Sequence, residues 1–189
     1  MFHYPNVKWT KLQAEAMGIP QVVGATKGVK EEELEDMANT LRRARDTYRL
    51  EGICTGALAS AYQKTRVEKV CKELSLQCLS PLWRIDPEEH LRKVLREGFR
   101  VMVVSVSALG LDQKWLGRIL DEEAIDELVT LSKKFKFHAG LEGGEGETFV
   151  LDCPIFKEKI EVTKSATHWK SNSGTFEILG ARLASKASR

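Results

Sequence analysis

Residues 141–152 read LEGGEGETFVLD and place three carboxylates, Glu142, Glu145 and Glu147, among three glycines, directly ahead of an apolar run. Carboxylates gathered this way repel bare phosphate and suit a divalent cation or a cationic organic group. The glycines permit bends that aim backbone N–H groups at a ligand. The same composition also makes an ordinary surface hairpin with solvated acids, and spacing alone leaves both readings open. His138, just before the loop, is the histidine best placed to join chemistry there, whereas His3, His90 and His168 show no partner in the sequence.

A second cluster lies in GALASAYQKTRVE, where Gly56 and Ala57 end a short β-rich run and Ser60, Gln63 and Arg66 follow at three-residue spacing. That spacing puts the three polar side chains on one helical face, within reach of a ligand at the strand end. The competing reading is a plain helix with a serine cap. Trp83 and Trp115 read as packing residues rather than stacking platforms. No G-x-S-x-G elbow, Walker motif or dinucleotide fingerprint occurs in the chain. Cys54, Cys71, Cys78 and Cys153 lie far apart with no C-x-x-C pair, and no H-x-x-x-H occurs, so neither a disulfide framework nor a zinc site is indicated. Reduced structural thiols in a cytoplasmic protein are expected.

Twenty-nine basic against 27 acidic side chains leave a formal charge of +2. Such a balance gives no whole-chain electrostatic case for nucleic acid or an anionic membrane. No apolar run approaches the roughly 20 residues that span a bilayer, and MFHYPNVKWTK has no signal-peptide core, so a soluble, non-exported protein is expected.

The elements that would position these clusters fall into two patterns. From residue 7 to about 106, helix and strand signals alternate: helix VKWTKLQAEAM stopped by Gly18 and Pro20, strand QVVGAT, helix KEEELEDMANTLRRARDTY, strand EGIC, helix AYQKTRVEKVCKELSL, weak strand QCLS, helix IDPEEHLRKVLREG and strand FRVMVVSV. The last run is continuously apolar, as parallel-sheet interiors are. Alternation predicts a parallel sheet with helices on its faces and a ligand beyond the carboxyl ends of the strands, where GAT, GALAS, SPLW and SVSALGLD supply small residues. Beyond residue 107 one helix, DEEAIDELVTLSKKF, precedes the acidic loop and three strand-like runs, TFVLD, FKEKIEVT and TFEILGARL. This predicts an α/β domain over 1–107 and a smaller α+β domain with antiparallel strands over 108–189.

GALASAYQKTRVEKVCKEL, PLW, VSALGLDQKWLGRILD and EGGEGETFVLDCPIF, taken in order, resemble the diphthine–ammonia ligase family, a branch of the N-type ATP pyrophosphatases. The resemblance implies a parallel-sheet nucleotide-binding domain of the HUP-like, adenine nucleotide alpha hydrolase kind, followed by a smaller domain carrying the acidic glycine motif. It also implies a reaction in which ATP, with Mg2+, adenylates the carboxylate of diphthine, a modified histidine on translation elongation factor two. Ammonia then displaces AMP to give diphthamide. On this resemblance Gly56, Ala57 and Ser60 lie on the nucleotide side, and Gln63, Arg66, Glu142, Gly143, Gly144, Glu145, Glu147 and Thr148 on the substrate side. Diphthine carries a trimethylammonium group, which the loop glutamates would attract, while the Gly143 and Gly144 N–H groups would address an oxyanion.

The chain departs from the family pattern at three places. Leu141 stands where the loop usually opens with glycine, Gly146 stands where it usually has an aromatic residue, and the S-G-G-K-D-S phosphate loop with its flanking strands would precede Met1. Without that loop the 189 residues alone are expected to turn over ATP poorly, and the seam left in the sheet would favour association with another chain, a second copy included. Two other functions stay open: a non-catalytic module that binds the elongation factor or a partner subunit, and a tRNA-modifying relative. The near-zero net charge and lack of paired cysteines count against the latter.

Overall fold

The computed structural model describes residues 6–26 and 32–186. Two compact units share the chain: residues 21–85 form one, and residues 3–20 with 86–189 form the other.

In the first unit, helix α2 (Glu32–Tyr48) precedes strand β1 (Gly52–Cys54), helix α3 (Ala61–Glu73) and strand β2 (Gln77–Leu79). β1 and β2 pair in parallel, Ile53 opposite Cys78, with α3 as the crossover. Ala38, Val70, Cys71, Leu74 and Leu76 form the core between helices and strands. Buried Cys71 beside Cys78 has its thiol pushed up to about 12, mainly by desolvation, which keeps it protonated and unreactive. All four cysteines are free.

QVVGAT is not a strand: residues 21–26 run without ladder pairing, and Val23 is 65% exposed. The β-branched pair Val22–Val23 sets a local preference, but a strand also needs a partner ladder. Here the segment instead leans on α2, where Arg43 donates to the Val23 carbonyl at 2.7 Å. Gly24 is held so close that a Cβ would overlap Thr40.

The second unit begins with a single turn of 3-10 helix (Val7–Trp9) and helix α1 (Thr10–Met17), closed by Gly18 at φ +70°. Helix α4 (Pro87–Arg96), strand β3 (Arg100–Val106), helix α5 (Glu122–Phe135) and strands β4 (Gly146–Asp152), β5 (Lys159–Lys170) and β6 (Ser173–Ala184) complete it. The helix caps follow the sequence: Asp86 accepts from the Glu89 N–H at 2.9 Å ahead of Pro87, and Asp121 accepts from the Ala124 N–H at 2.8 Å. The sheet order is β4-β3-β6-β5, antiparallel throughout.

β3 therefore belongs to the antiparallel sheet and not to a parallel one, and the contacts divide at residues 85/86 rather than near 107. Its unbroken apolar run has a physical cause that both sheet types share, burial on two faces. Val101, Val103 and Val106 enter one core with Trp115, Leu120 and Leu128, while Met102 and Val104 enter another with Phe149, Leu151 and Ile178.

The amino-terminal helix is tied to the same sheet by polar bonds across the whole length of the chain. Asn6 donates to the Phe176 carbonyl at 2.9 Å and accepts from the Ile178 N–H at 2.7 Å, Trp9 Nε1 donates to the Ile178 carbonyl at 2.7 Å, and Gln13 donates to the Val150 carbonyl at 2.9 Å. Arg92 pins α4 to α5 by bonding Glu88, Glu122 and Asp126. Trp115, read as a packing residue, is buried in the core.

Candidate functional site

The acidic loop is a closed backbone structure held from inside by Glu145. The carboxylate accepts from the His138 N–H at 3.1 Å through Oε1 and from the Gly143 N–H at 2.5 Å through Oε2. Its backbone carbonyl accepts from the N–H groups of Ser107 at 2.7 Å and Ala108 at 3.2 Å. Ser107 Oγ donates to the Gly144 carbonyl at 2.5 Å, so Ser107 fastens the loop to the end of β3 twice. Two left-handed residues set the bend, Leu141 at φ +59° and Gly144 at φ +86°, and only the second is the residue type that adopts this region without strain.

This geometry sorts the three glutamates. Glu145 is occupied in holding the loop, and the Gly143 N–H expected to face an oxyanion is occupied with it. Gly144 is exposed, with open space where a Cβ would stand. Glu142 lies close enough to His90 to raise its pKa, though desolvation, the larger effect, leaves that imidazole below its ordinary value. His138 Nδ1 accepts from the Gly140 N–H at 3.2 Å, which fixes its ring beside the loop. Glu147 and Thr148 lie in β4, opposite Ser105 and Val103 respectively.

Two cross-strand rows carry the loop across the sheet. Glu147, Ser105, Thr175 and His168 are successive partners, as are Gly146, Val106, Gly174 and Trp169. Members of one row share a face, and strands lie about 4.8 Å apart, so Glu147 stands roughly 10 Å from Thr175. At this end of the sheet a cleft of about 360 Å³ opens, lined by Ser105, Ser107, His168, Trp169, Lys170 and Thr175 among others. Composition hid this grouping, because the residues come from β3 and from a hairpin some 60 positions later. The one sequence signal was the run of small residues in SVSALG after β3.

In the first unit the second cluster sits at the carboxyl end of β1. Ser60 is the N-cap of α3 and accepts from the Gln63 N–H at 3.3 Å, so its oxygen belongs to the helix start rather than to a helical face. Arg66 lies over the Tyr62 ring, 3.5 Å from its centroid. Ala57 is buried, while Gly56 is exposed and a Cβ there would meet nothing within 4 Å.

Comparison with known proteins divides the chain at nearly the same place between residues 78 and 86, although the amino-terminal profile takes in the segment before residue 21 that packs with the second unit. Residues 1–78 match the profile of the diphthamide synthase N-terminal domain, and residues 86–183 match that of the diphthamide synthase C-terminal domain. The chain belongs to the diphthine–ammonia ligase family. It is 41% identical over 185 residues to the diphthine–ammonia ligase of Mus musculus, covering 92% of this chain and 69% of that protein. With that of Homo sapiens it shares 42% over 166 residues, covering 82% of this chain and 62% of the relative. With that of Schizosaccharomyces pombe it shares 45% over 135 residues, covering 71% and 22%. The chain thus spans less than two thirds of the human ligase and about a fifth of the yeast one.

Two departures from the ligase family's loop pattern turn out to be neighbours. A Cβ on Gly146 would lie 3.1 Å from Leu141 Cδ1 and 2.6 Å from the Ser105 carbonyl. Leu141, buried in the core with Val106 and Trp115, therefore occupies the space beside residue 146. Among the described residues no three His, Cys, Asp or Glu side chains converge as a metal cage. No helix among them is long and apolar enough to cross a membrane.

Proposed function

We propose that this chain works in the ATP-dependent amidation of diphthine on translation elongation factor two, with ammonia as co-substrate, and that its second unit receives the acceptor. Family membership supports the reaction class, and the observation that carries the acceptor assignment is the acidic loop, which carries Glu142 and Glu147 on a backbone that Glu145 holds in shape. A carboxylate pair near a quaternary amine attracts it without needing a hydrogen bond, and preorganisation by Glu145 lowers the entropic cost of that attraction.

On the nucleotide side, Gly56 and Ala57 at the end of β1, with the α3 N-terminus capped by Ser60, would lie against bound ATP; Gln63 and Arg66 follow on the first turns of that helix. Bound ATP supplies the activating group for the carboxylate. The chain's own residues bind and orient: the capped helix start offers N–H donors to an anion, and the loop presents charge to the cationic end of the acceptor. AMP release is the test, measured with diphthine-bearing factor, ATP and ammonium, for the chain alone and for the chain joined to a phosphate-loop segment. Factor-dependent AMP release from the joined form supports the reading, and its absence removes it.

A further inference from the structure

The β5–β6 hairpin owes the composition of its outer face to two slips in register. Ile160, Val162, Ala181 and Leu183 pack into the second core, so Lys159, Glu161 and Arg182, each one position away, point outward. Strict alternation would then send Lys164 inward with Ile160 and Val162. Instead Thr163 has no partner, Lys164 stands opposite Gly180, and the extra residue turns the lysine outward. A Cβ on Gly180 would lie 3.4 Å from Lys164 Cβ, which puts both on one side. A second slip passes over Leu179, so that Ser165 pairs with buried Ile178 and the even positions of β5 stay outward as far as Lys170. Lys159, Lys164 and Lys170 therefore share a face although their numbers differ in parity.

The charges on this face are unequally satisfied. Its acids are engaged, Glu161 with Arg182 at 2.7 Å and Glu177 with His168 at 3.1 Å. Among the described residues no carboxylate pairs with Lys159, Lys164 or Lys170, and the last two are exposed. In their midst Leu179 is 40% exposed beside Gly180, with Ala166 opposite the adjoining Glu177. An apolar point among cations has the composition of a protein-binding patch, apolar at its centre and charged at its rim. The large aromatics of the two strands, Trp169 and Phe176, pack inward on the cores, so this face has no ring of that size on which a nucleic-acid base could stack.

We propose that the outer face of this hairpin docks an acidic, extended polypeptide segment with an apolar side chain that meets Leu179. Lysines that no internal carboxylate neutralises set the sign of the partner. At about 3.3 Å per residue, Lys159 to Lys170 spans roughly 35 Å, the length of an extended segment of about ten residues. The proposal goes beyond the ligase reading and does not depend on it, since neither the acidic loop nor the start of α3 takes part.

The experiment titrates the full chain, in about 50 mM salt, with a fluorescein-labelled peptide of about twelve residues that alternates Glu and Ser around a central Leu. A saturable anisotropy change is expected, with NMR shifts at the Lys164, Leu179 and Lys170 amides. Lys159→Gln, Lys164→Gln and Lys170→Gln should each weaken binding about two- to fivefold, as loss of one exposed ion pair implies. Leu179→Ser should weaken it further. Lys72→Gln, at an exposed position of α3, changes the net charge equally and should leave the affinity within about twofold.

Equal weakening by Lys72→Gln, or shifts confined to residues outside the hairpin, would mean a general ionic attraction and overturns the proposal. Tighter binding of an RNA of about twelve nucleotides on the same amides would make this a nucleic-acid surface and also overturns it. So does a lack of saturation up to about 1 mM peptide. Lysine variants that then associate into dimers would identify the lysines as guards of the free edge of β5. No arm reads AMP release, so this proposal and the ligase reading fail separately.

Discussion

Replacing Glu145 tests whether the loop's central carboxylate holds the backbone or faces a ligand. In Glu145→Gln one of two acceptor oxygens becomes an NH2 group pointed at an N–H donor, so either His138 or Gly143 loses its partner. A hydrogen bond to a charged acceptor contributes about 1.5–3 kcal/mol, and the lower end applies because Gly143 is exposed and water can replace part of the loss. Glu145→Gln should then destabilise the second unit by about 1.5 kcal/mol, and Glu145→Ala, which loses both bonds, by about 3 kcal/mol. For a chain of this size each kcal/mol is worth roughly 2–4 °C in Tm.

Urea unfolding measures the loss, and amide hydrogen exchange locates it. The His138 and Gly143 amides should exchange about tenfold faster in Glu145→Gln, while amides within α5 and β3 keep their protection unless global unfolding limits them. Unchanged stability and exchange, combined with a raised KM for the acceptor, would refute the reasoning, since Glu145 would then be a ligand-facing charge.

Burial holds the His90 imidazole below its ordinary pKa of 6.5, so the neutral ring is the form the fold favours. Its contribution is present above that value and is lost as pH falls through the lower folded value; stability should decline with acid over that window, and His90→Gln should flatten the decline. Glu142 pulls the same pKa upward, so Glu142→Gln should lower it further in an NMR titration. Gly146→Ala should destabilise by about 1–3 kcal/mol, because its Cβ would lie 2.6 Å from the Ser105 backbone oxygen. Leu141→Gly should cost about 1–4 kcal/mol, the buried side chain outweighing relief of the left-handed backbone; urea midpoints of both variants check the pair.

Local chemistry was legible where local rules decide. Asp86 with Pro87 and acids in the first turn marks the start of α4, Gly18 ends α1 in the left-handed region, and both stand where the residue types require. Sheet membership was not legible. Runs such as QVVGAT and FRVMVVSV differ little in β preference, yet 21–26 has no ladder partner and β3 sits between two cores. Nor could periodicity show that a helix at 10–17 binds strands at 146–184, since the bonds are made by single polar side chains, Asn6, Trp9 and Gln13, with no pattern of their own. The site was half visible for the same reason. The loop is contiguous and announces itself, whereas the cleft is assembled from β3 and the β5–β6 hairpin by register.

The loop's two departures from its family show how one dimension misleads. Taken along the chain, Leu141 reads as a stiffened turn and Gly146 as a lost packing group, two independent defects five residues apart. In space they are one packing unit. Leu141 fills the volume beside residue 146, and Gly146 lets β4 approach the Ser105 carbonyl so closely that no Cβ fits. The strain of a left-handed leucine, about 1–2 kcal/mol, is offset by burying its side chain with Val106 and Trp115. The consequence reaches the neighbouring strand: the glycine keeps β4 in register with β3, so Glu147 stays opposite Ser105, a residue that lines the cleft.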